Sequence, residues 1–412
     1  MMIAKQQLKS CPGVYIQTRI PLRMTECSDV QTSVLGRRRD GWINTILLGE
    51  STHSSLFQTA NNVVNHFLSS NEHPAYPLRR IWSFDQHLSI EDKETELFAP
   101  LFGSYTDLSS SATDVNLNKK SKRKRINLKM TVVYRGKDFC GWEDQRHHIY
   151  RMNPVEQSID QNILPSVQGT LVDVLDPVFG RLFDEHSSYQ RDQNTSPVEI
   201  KVAGRTDAGV NAVGQICRIR TWRTDLPNGQ SIDEIEDYVK DLVNEHANKL
   251  GVGLRVTNVQ KIGNQFHPTF GATCRAYAYL VDLQNEDSEP RITRDIVAKL
   301  DGMLRALESR TLNYVALSYG KVKTQTTDCT LIRARATLVE CTVSKKEAVC
   351  IELIGDRFLR RMVRILVATA LREACADTAR DESLLKVLNT RDRTNSAPAA
   401  PPDGLIFVGA GY

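Results

Sequence analysis

The chain has 412 residues, of which 41% are hydrophobic and 25% are charged, and its formal net charge is +4. This composition is that of an ordinary globular protein, and it excludes a collagen-like, a wholly disordered or a disulfide-scaffold chain. No apolar run reaches the roughly 18–20 residues of a membrane span, so no membrane partner is expected. The nine cysteines form no CxxC pair and no zinc-ligand spacing. We therefore expect no metal site and a reducing, intracellular compartment.

The first 118 residues differ from the rest because they hold few periodic runs and several polar patches. They predict an N-terminal extension, 1–118, whose order the sequence leaves open, with a short helix near 56–68. Trp42 and Trp82 indicate that parts of it pack on the body. The basic segment KKSKRKR at 119–125 is interpreted as a linker, because its like charges repel one another. A nuclear-localisation signal and an arm that contacts RNA phosphates are the alternatives.

From residue 126 onwards, strand-like and helix-like segments alternate. Alternating, β-branched runs predict strands at 126–134, 198–204, 214–222, 272–283, 337–343, 348–354 and 404–408. Helical spacing of apolar residues predicts helices at 166–183, 231–250, 294–307, 356–373 and 382–389. Ser166 is the expected N-cap of the first of these helices, and Pro177 is expected to end or kink it. The pattern predicts an α+β fold with α/β-type layering, in two successive halves, 126–270 and 271–412.

The most unusual segment is GRTDAG at 204–209, where a carboxylate lies in a glycine-bracketed loop between two predicted strands. Functional groups concentrate in loops on a rigid sheet, and glycines permit a ligand to approach the backbone closely. In an extended stretch Arg205 and Asp207 share a side, so the guanidinium would keep the carboxylate ionised, as a nucleophile requires. From local chemistry alone, a structural turn in which Asp207 caps its own backbone is the stronger interpretation.

Six motifs in order resemble those of the TruA family of tRNA pseudouridine synthases, and they favour a catalytic Asp207 over the turn. They are YRGKDFCGWEDQ at 134–145, SVQGTL at 166–171, GRTDAGVNAVGQ at 204–215, FHPTFGATCRAYAYLV at 266–281, DRFLRRMVRILVATAL at 356–371 and RDRTNSAPAAPPDGLIFVGAGY at 391–412. The resemblance covers 126–412 and looks more like the bacterial and organellar branch. It implies the pseudouridine synthase fold, a large, mixed, mostly antiparallel sheet in two similar halves with helices packed on it. The active-site cleft would lie between the halves.

The resemblance also implies roles for individual residues. Asp207 matches the catalytic aspartate, which attacks the target nucleotide at the sugar carbon or at the uracil ring before the base rotates and rejoins through carbon. Arg205 matches the arginine that pairs with the aspartate and helps fill the gap left by the flipped base. Tyr277 matches the tyrosine that stacks on the uracil and assists proton transfer, and Arg364 matches the arginine that brings a second positive charge to the aspartate.

Four further residues are expected to contact the substrate. Phe139 and Trp142 belong to the F-x-G-W motif, and Arg357 and Arg361 share one stripe with Arg364 on the helix predicted at 356–373. The implied isomerisation needs no cofactor and no metal. The implied substrate is uridine in the anticodon stem-loop of tRNA. An inactive tRNA-binding or folding protein, and a synthase with a different RNA target, are the alternatives.

Three departures from the family pattern concern RNA positioning rather than the nucleophile. Asn211 occupies a position where the family usually has His, Glu143 one where it often has Gln, and NYVAL at 313–317 replaces H-D-F-x-x-F. Family members act as homodimers or alone, and the sequence leaves both open here. The branch resemblance favours the cytoplasm or an organelle, whereas the basic segment at 119–125 favours the nucleus.

Overall fold

The computed structural model describes residues 56–70, 77–82, 126–144, 164–179, 198–221, 226, 232–283, 291–320 and 325–412. Its strands are β1 (Leu78–Trp82), β2 (Asn127–Tyr134), β3 (Glu199–Val202), β4 (Asn211–Arg220), β5 (Leu254–Lys261), β6 (Cys274–Asp282), β7 (Thr311–Asn313), β8 (Asp328–Cys341), β9 (Glu347–Gly355) and β10 (Leu405–Gly411). Its α-helices are α1 (Gln58–Ser69), α2 (Val167–Phe179), α3 (Ile235–Leu250), α4 (Arg294–Arg305), α5 (Met362–Ala374) and α6 (Ser383–Thr390). None of these helices has the length and apolar character needed to cross a membrane.

The strands join in one sheet in the order β1-β8-β9-β6-β10-β4-β2-β5, with β3 beside β4 and β7 beside β8. Strand β10 runs parallel to β4, where Ile406 pairs with Asn211, and antiparallel to β6 on its other side. The other pairings of the described strands are antiparallel. The C-terminal strand thus joins β2–β5 to β6, β8 and β9. This confirms the α+β class and the large, mixed, mostly antiparallel sheet.

Two hydrophobic cores use the two faces of this sheet. Along β6, Tyr277, Tyr279 and Val281 belong to one core, and Ala276, Ala278 and Leu280 to the other. Successive strand residues point to opposite faces, so β6 is buried on both. Helices α2 to α6 contribute to the first core. The apolar stripe of α1 covers the second face, with its members Ala60, Val63, Val64 and Phe67.

Two elements of the predicted N-terminal extension belong to the same folded body. The backbone N–H of Thr59 in α1 donates to the Asp282 carboxylate at 3.1 Å, and Phe57 packs edge-on against Tyr279. Strand β1, which the sequence did not predict, extends the sheet as the antiparallel neighbour of β8. Trp42 and the basic segment at 119–125 lie outside the described residues. The domain boundaries remain predictions.

Most predicted elements are present, with shifted ends. Ser166 caps α2 as expected, because its Oγ accepts from the Gly169 N–H at 3.0 Å. Pro177 lies inside α2 and does not end it. It stands two residues before the end of α2, where it removes one intrahelical hydrogen bond. Strand β4 begins three residues before its predicted start, and β5 and β7 were not predicted.

The helix predicted at 356–373 is the element that needs correction. Helix α5 begins only at Met362, because Arg361 adopts a left-handed backbone conformation with φ 57°. The preceding residues turn instead, and the Asp356 N–H donates to the Thr330 carbonyl. Arg357 therefore does not lie on the helix, and the predicted arginine stripe of Arg357, Arg361 and Arg364 is wrong.

Candidate active site

Asp207 lies in the loop between β3 and β4, with its side chain 34% exposed. Two arginines from the other side of β10 face its Oδ2 atom. Arg364 Nη1, from the first turn of α5, lies at 3.4 Å, and Arg361 Nε lies at 3.6 Å. The first distance is at the outer limit of a hydrogen bond, and the second is that of an ion pair only. The fold therefore surrounds this partly exposed carboxylate with positive charge.

Arg364 is anchored on both its backbone and its side chain. Its Nε donates to the Ala400 carbonyl at 2.6 Å, and the Ala400 N–H donates back to the Arg364 carbonyl at 3.1 Å. Burial lowers the pKa of Arg364 from its ordinary value, while Asp207 opposes that shift. A guanidinium keeps its charge in proteins. Its fixed side chain thus presents a permanent cation to Asp207.

Hydrogen bonds with buried polar groups fix the backbone of the Asp207 loop. The Trp142 N–H donates to the Thr206 carbonyl at 3.1 Å, and the Thr206 and Tyr134 hydroxyls lie 2.8 Å apart. Gln215 Nε2 donates to the Gly204 carbonyl at 2.7 Å and to Tyr134 Oη at 3.2 Å. Burial raises the pKa of Tyr134, so its phenol remains a neutral partner in this network.

Glycines let neighbouring backbone approach this loop closely. A Cβ at Gly136 would lie 2.3 Å from the Gly209 carbonyl carbon. Gly141 has φ +118°, and a Cβ there would lie 3.2 Å from both the Thr206 carbonyl oxygen and the Ala208 nitrogen. Neither contact leaves room for a side chain without movement of the loop. The glycine of the F-x-G-W motif thus sets the position of Asp207.

Tyr277 lies next to Gly204, at the start of the Asp207 loop. Its ring is 9% exposed and packs edge-on against Phe358 at 5.0 Å and Phe407 at 5.1 Å. A Cβ at Gly204 would lie 3.7 Å from Tyr277 Oη, so the phenol reaches the loop itself. Burial raises the pKa of Tyr277 to about 12, with Arg275 acting in the opposite direction. The phenol is therefore protonated near neutral pH.

Arg275 is a positioning residue that the sequence reasoning missed. Its guanidinium donates to three carbonyls, those of Ala203 at 3.0 Å, Asp356 at 3.1 Å and Thr269 at 2.6 Å. It therefore ties the segment before Asp207 to the segment before α5. The signal was present as the first residue of the R-x-Y-x-Y motif, where only the tyrosine was assigned a role.

Arg205 does not pair with Asp207 in this structure. Its Nη1 contacts Glu143 Oε2 at 2.9 Å, and the Arg205 side chain is 69% exposed. The predicted pairing assumed an extended stretch, whereas the chain turns at Asp207, whose carbonyl accepts from the Val210 N–H. Arg205 and Asp207 consequently face different surroundings.

Phe139, Trp142 and Arg357 are also placed differently from the expectation. Phe139 and Trp142 are each only 2% exposed and pack against the Tyr134 ring, so they support the loop from the core. Arg357 lies near Cys329, where it opposes the burial that raises the pKa of that thiol to about 12. Among the described residues, no hydrogen bond, ion pair or ring contact joins any of these three side chains to Asp207.

Asn211, which replaces the family's usual histidine, joins two loops next to the site. Its Oδ1 accepts from the Gly136 N–H at 2.8 Å, and its Nδ2 donates to the Asp403 carbonyl at 2.9 Å. Its side chain is buried. Asn211 is therefore a structural link. Across the described ranges, no group of three or more His, Cys, Asp and Glu side chains is arranged to hold a metal ion.

The chain is similar in sequence to known tRNA-modifying proteins. Residues 318–412 match the family model described as tRNA pseudouridine synthase. The chain is 24% identical to tRNA pseudouridine synthase A of Colwellia psychrerythraea over 283 residues, which cover 68% of this chain and 92% of that protein. It is 27% identical to the tRNA pseudouridine synthase A of Afipia carboxidovorans over 300 residues (69% and 98%), and 24% identical to that of Ehrlichia chaffeensis over 293 residues (70% and 100%). With the ordered motifs around Asp207, these matches make the chain similar to the tRNA pseudouridine synthases of the TruA family.

Proposed function

We propose that this chain converts uridine to pseudouridine in the anticodon stem-loop of tRNA, with Asp207 as the nucleophile. The observation that carries the proposal is the Asp207 carboxylate itself. It is partly exposed, faces the guanidinium groups of Arg361 and Arg364, and lies in a loop fixed by Gly141, Thr206 and Gln215. An accessible carboxylate held at one position is what covalent catalysis requires.

The proposed reaction is an isomerisation that leaves the elemental composition of the uridine unchanged, because the hydrogen lost from C5 is balanced by one gained at nitrogen. The carboxylate adds either to the sugar carbon C1′ or to the uracil ring, and in both cases the glycosidic bond between C1′ and the ring nitrogen N1 breaks. The uracil rotates, its C5 bonds to the sugar carbon, and the C5 proton is then lost while the nitrogen gains one. Asp207 leaves as a free carboxylate. Tyr277, protonated and close to the loop, is the proposed participant in the proton transfer.

The target uridine has to leave its stack, and exposed side chains near the loop would support the opened RNA. Arg205 is held by Glu143 in an exposed ion pair, and such pairs contribute only about 0–1 kcal/mol. Arg205 is thus easily released to fill the gap. Phe270 is 86% exposed and lies 4.5 Å from the His267 ring, and stacking of a base on such a ring contributes roughly 1–3 kcal/mol.

We also propose a position for the substrate cleft and a dimeric assembly. We place the substrate cleft between the segments joined by β10, since Asp207 comes from one side of that strand and Arg364 from the other. A homodimer would supply further surface for tRNA. Gel filtration with and without tRNA tests this part, and a monomeric complex of one chain per tRNA would contradict it.

The nucleophile is tested by Asp207→Asn, which keeps the size of the side chain and removes the charge. We expect release of tritium from C5-labelled uridine in tRNA to fall to background, while tRNA affinity stays within about threefold, because one neutralised acid does not weaken phosphate contacts. Arg79→Gln is the control, since Arg79 of β1 lies in an exposed ion pair with Glu340 of β8.

Two other results would change the proposal. Tritium release by Asp207→Asn at the wild-type rate would remove Asp207 as nucleophile. Tight tRNA binding by a wild-type chain without turnover would favour the inactive tRNA-binding protein. A pseudouridine map of cellular RNA with and without the protein would identify a different RNA target.

The compartment is proposed from the sequence alone. The family branch favours the cytoplasm or an organelle such as a mitochondrion or plastid, and the segment at 119–125 favours the nucleus. Imaging of the full chain beside a variant with 119–125 replaced by Gly and Ser decides between them. Loss of a nuclear signal in the variant would establish the basic segment as the address.

A further inference from the structure

We propose that Tyr319 is a positioning residue for this reaction. Its ring holds the Arg361 guanidinium beside Asp207, so that the Nε–H of Arg361 is available to an oxygen atom of the target nucleotide. The proposal rests on the function proposed above, and it adds a residue outside the six motifs. Tyr319 follows the NYVAL segment, in which the sequence departs from the family pattern.

The contact between Tyr319 and Arg361 is close. The Cζ of Arg361 lies 4.1 Å from the centroid of the Tyr319 ring, and that of Arg360 lies at 5.3 Å. A guanidinium within about 6 Å of a ring centroid is attracted by the electrons of its face. The backbone fixes the same pair of segments, because the Tyr319 N–H donates to the Arg360 carbonyl at 3.0 Å.

The backbone of Arg361 indicates that its placement is enforced by its surroundings. Arg361 has φ 57°, a left-handed conformation that a residue with a Cβ adopts at a cost. It stands immediately before α5, and its carbonyl accepts from the Ile365 N–H. Strain of this kind persists where the neighbouring structure determines it. Two contacts determine the conformation of Arg361: the Tyr319 ring against its guanidinium, and the hydrogen bond from the Tyr319 N–H to the Arg360 carbonyl.

The Nε of Arg361 is the atom that points to a ligand. It is buried, has no hydrogen-bond partner, and lies 3.6 Å from Asp207 Oδ2, beyond hydrogen-bond range. Arg364 differs, since its Nε is satisfied by the Ala400 carbonyl. Buried guanidinium donors without an acceptor are rare in proteins. A bound nucleotide that displaces the groups covering this atom would satisfy the donor, beside Asp207, with an oxygen of its phosphate or its uracil.

Steady-state kinetics on a tRNA anticodon stem-loop test the coupling of the two residues. Tyr319→Leu removes the aromatic face, and we expect kcat to fall about tenfold, since small displacements in an active site have large effects. Tyr319→Phe retains the face and should remain within about twofold of wild type. In an Arg361→Gln background, Tyr319→Leu should have no further effect. Leu250→Ala, an exposed apolar residue at the end of α3, controls for general effects of surface substitution.

A substrate with one uncharged methylphosphonate at the target nucleotide separates the two sources of the oxygen. If the phosphate is the acceptor, Arg361→Gln will have little effect on this substrate. If uracil is the acceptor, the Arg361→Gln defect will persist in full. Additive effects of Tyr319→Leu and Arg361→Gln, or a Tyr319→Phe defect as large as that of Tyr319→Leu, would overturn the positioning role.

A spectroscopic readout keeps this proposal separate from the proposed function. The ring current of Tyr319 should shift the Arg361 Nε–Hε signal of ¹⁵N-arginine-labelled protein upfield, and Tyr319→Leu should abolish that shift. Absence of turnover by the wild-type chain would refute the proposed function alone. An unshifted Arg361 signal in the wild-type protein would refute the Tyr319 contact, whatever the activity.

Discussion

Substitution of Gly141 by alanine tests how the loop positions Asp207 without altering any side chain of the site. Gly141 has φ +118°, and an added Cβ would lie 3.2 Å from the Thr206 carbonyl oxygen and the Ala208 nitrogen, and 3.4 Å from the Asp207 carbonyl carbon. These neighbours are backbone atoms and cannot rotate away. The methyl group will therefore move the loop that carries Asp207.

Two physical effects determine how much stability and how much activity Gly141→Ala loses. A residue with a Cβ in this sparsely populated backbone region is strained by roughly 1–3 kcal/mol, which is the expected loss of folding stability. The contacts additionally require the loop to shift by a few tenths of an ångström. Because a misplacement of about 1 Å can reduce the rate about 10²-fold, we expect kcat to fall by roughly 5- to 50-fold. Affinity for tRNA should change little.

The chain provides two matched controls for this substitution. Gly251 has φ +68° but no atom within 4 Å of an added Cβ, so Gly251→Ala contains the backbone strain without the contact. Gly263 has neither a positive φ nor a nearby atom, so Gly263→Ala contains neither effect. Thermal unfolding should rank Gly263→Ala near wild type, with Gly251→Ala and Gly141→Ala less stable. Single-turnover pseudouridine formation should be slowed only in Gly141→Ala.

A wild-type single-turnover rate in Gly141→Ala would refute this reasoning, because it would mean that the loop absorbs the methyl group without moving Asp207. Equal slowing in Gly251→Ala would refute it in another way, by linking the rate to overall stability. Both measurements are made at a temperature well below the unfolding transition, so that every variant is folded.

Three further predictions concern the residues around the loop. Glu143→Gln removes an acid and frees Arg205, so tRNA affinity at low salt should rise about two- to fivefold. The free energy of unfolding should change by less than about 1 kcal/mol, because the ion pair is exposed. Weaker tRNA binding, measured by fluorescence anisotropy, would argue against release of Arg205. Tyr134→Phe removes the hydroxyl that contacts Thr206 and Gln215, and denaturant titration should show a loss of about 1–3 kcal/mol, since buried partners are left unpaired. Burial raises the pKa of Tyr277 to about 12, so its phenol keeps its proton as the pH rises from 7 to values near 11. Tyr277→Phe should therefore lower kcat without shifting the alkaline limb of the pH–rate profile. A shifted alkaline limb would contradict this prediction.

Elements with clear local signals were predicted well. The cap at Ser166 and the end of α3 at Gly251, which has positive φ, follow from short-range chemistry. The short edge strand β1 and the start of α5 could not be predicted, because they depend on distant partners. Strand β1 forms against β8, and the left-handed Arg361 is held between Tyr319 and Asp207. The helical periodicity of 356–373 was real but gave no indication of this break.

Sequence alone determined the class of fold and the ordered motifs, and it singled out Asp207 as the candidate nucleophile. A carboxylate between glycines is recognisable from one short segment, and six motifs in order carry the resemblance to a family. The tertiary structure decided which cations face that carboxylate. Arg361 and Arg364 replace the neighbouring Arg205 because the chain turns at Asp207 and β10 brings α5 to the same place. Charges act through space, so the partner of a side chain is set by the packing of distant segments rather than by its neighbours in sequence.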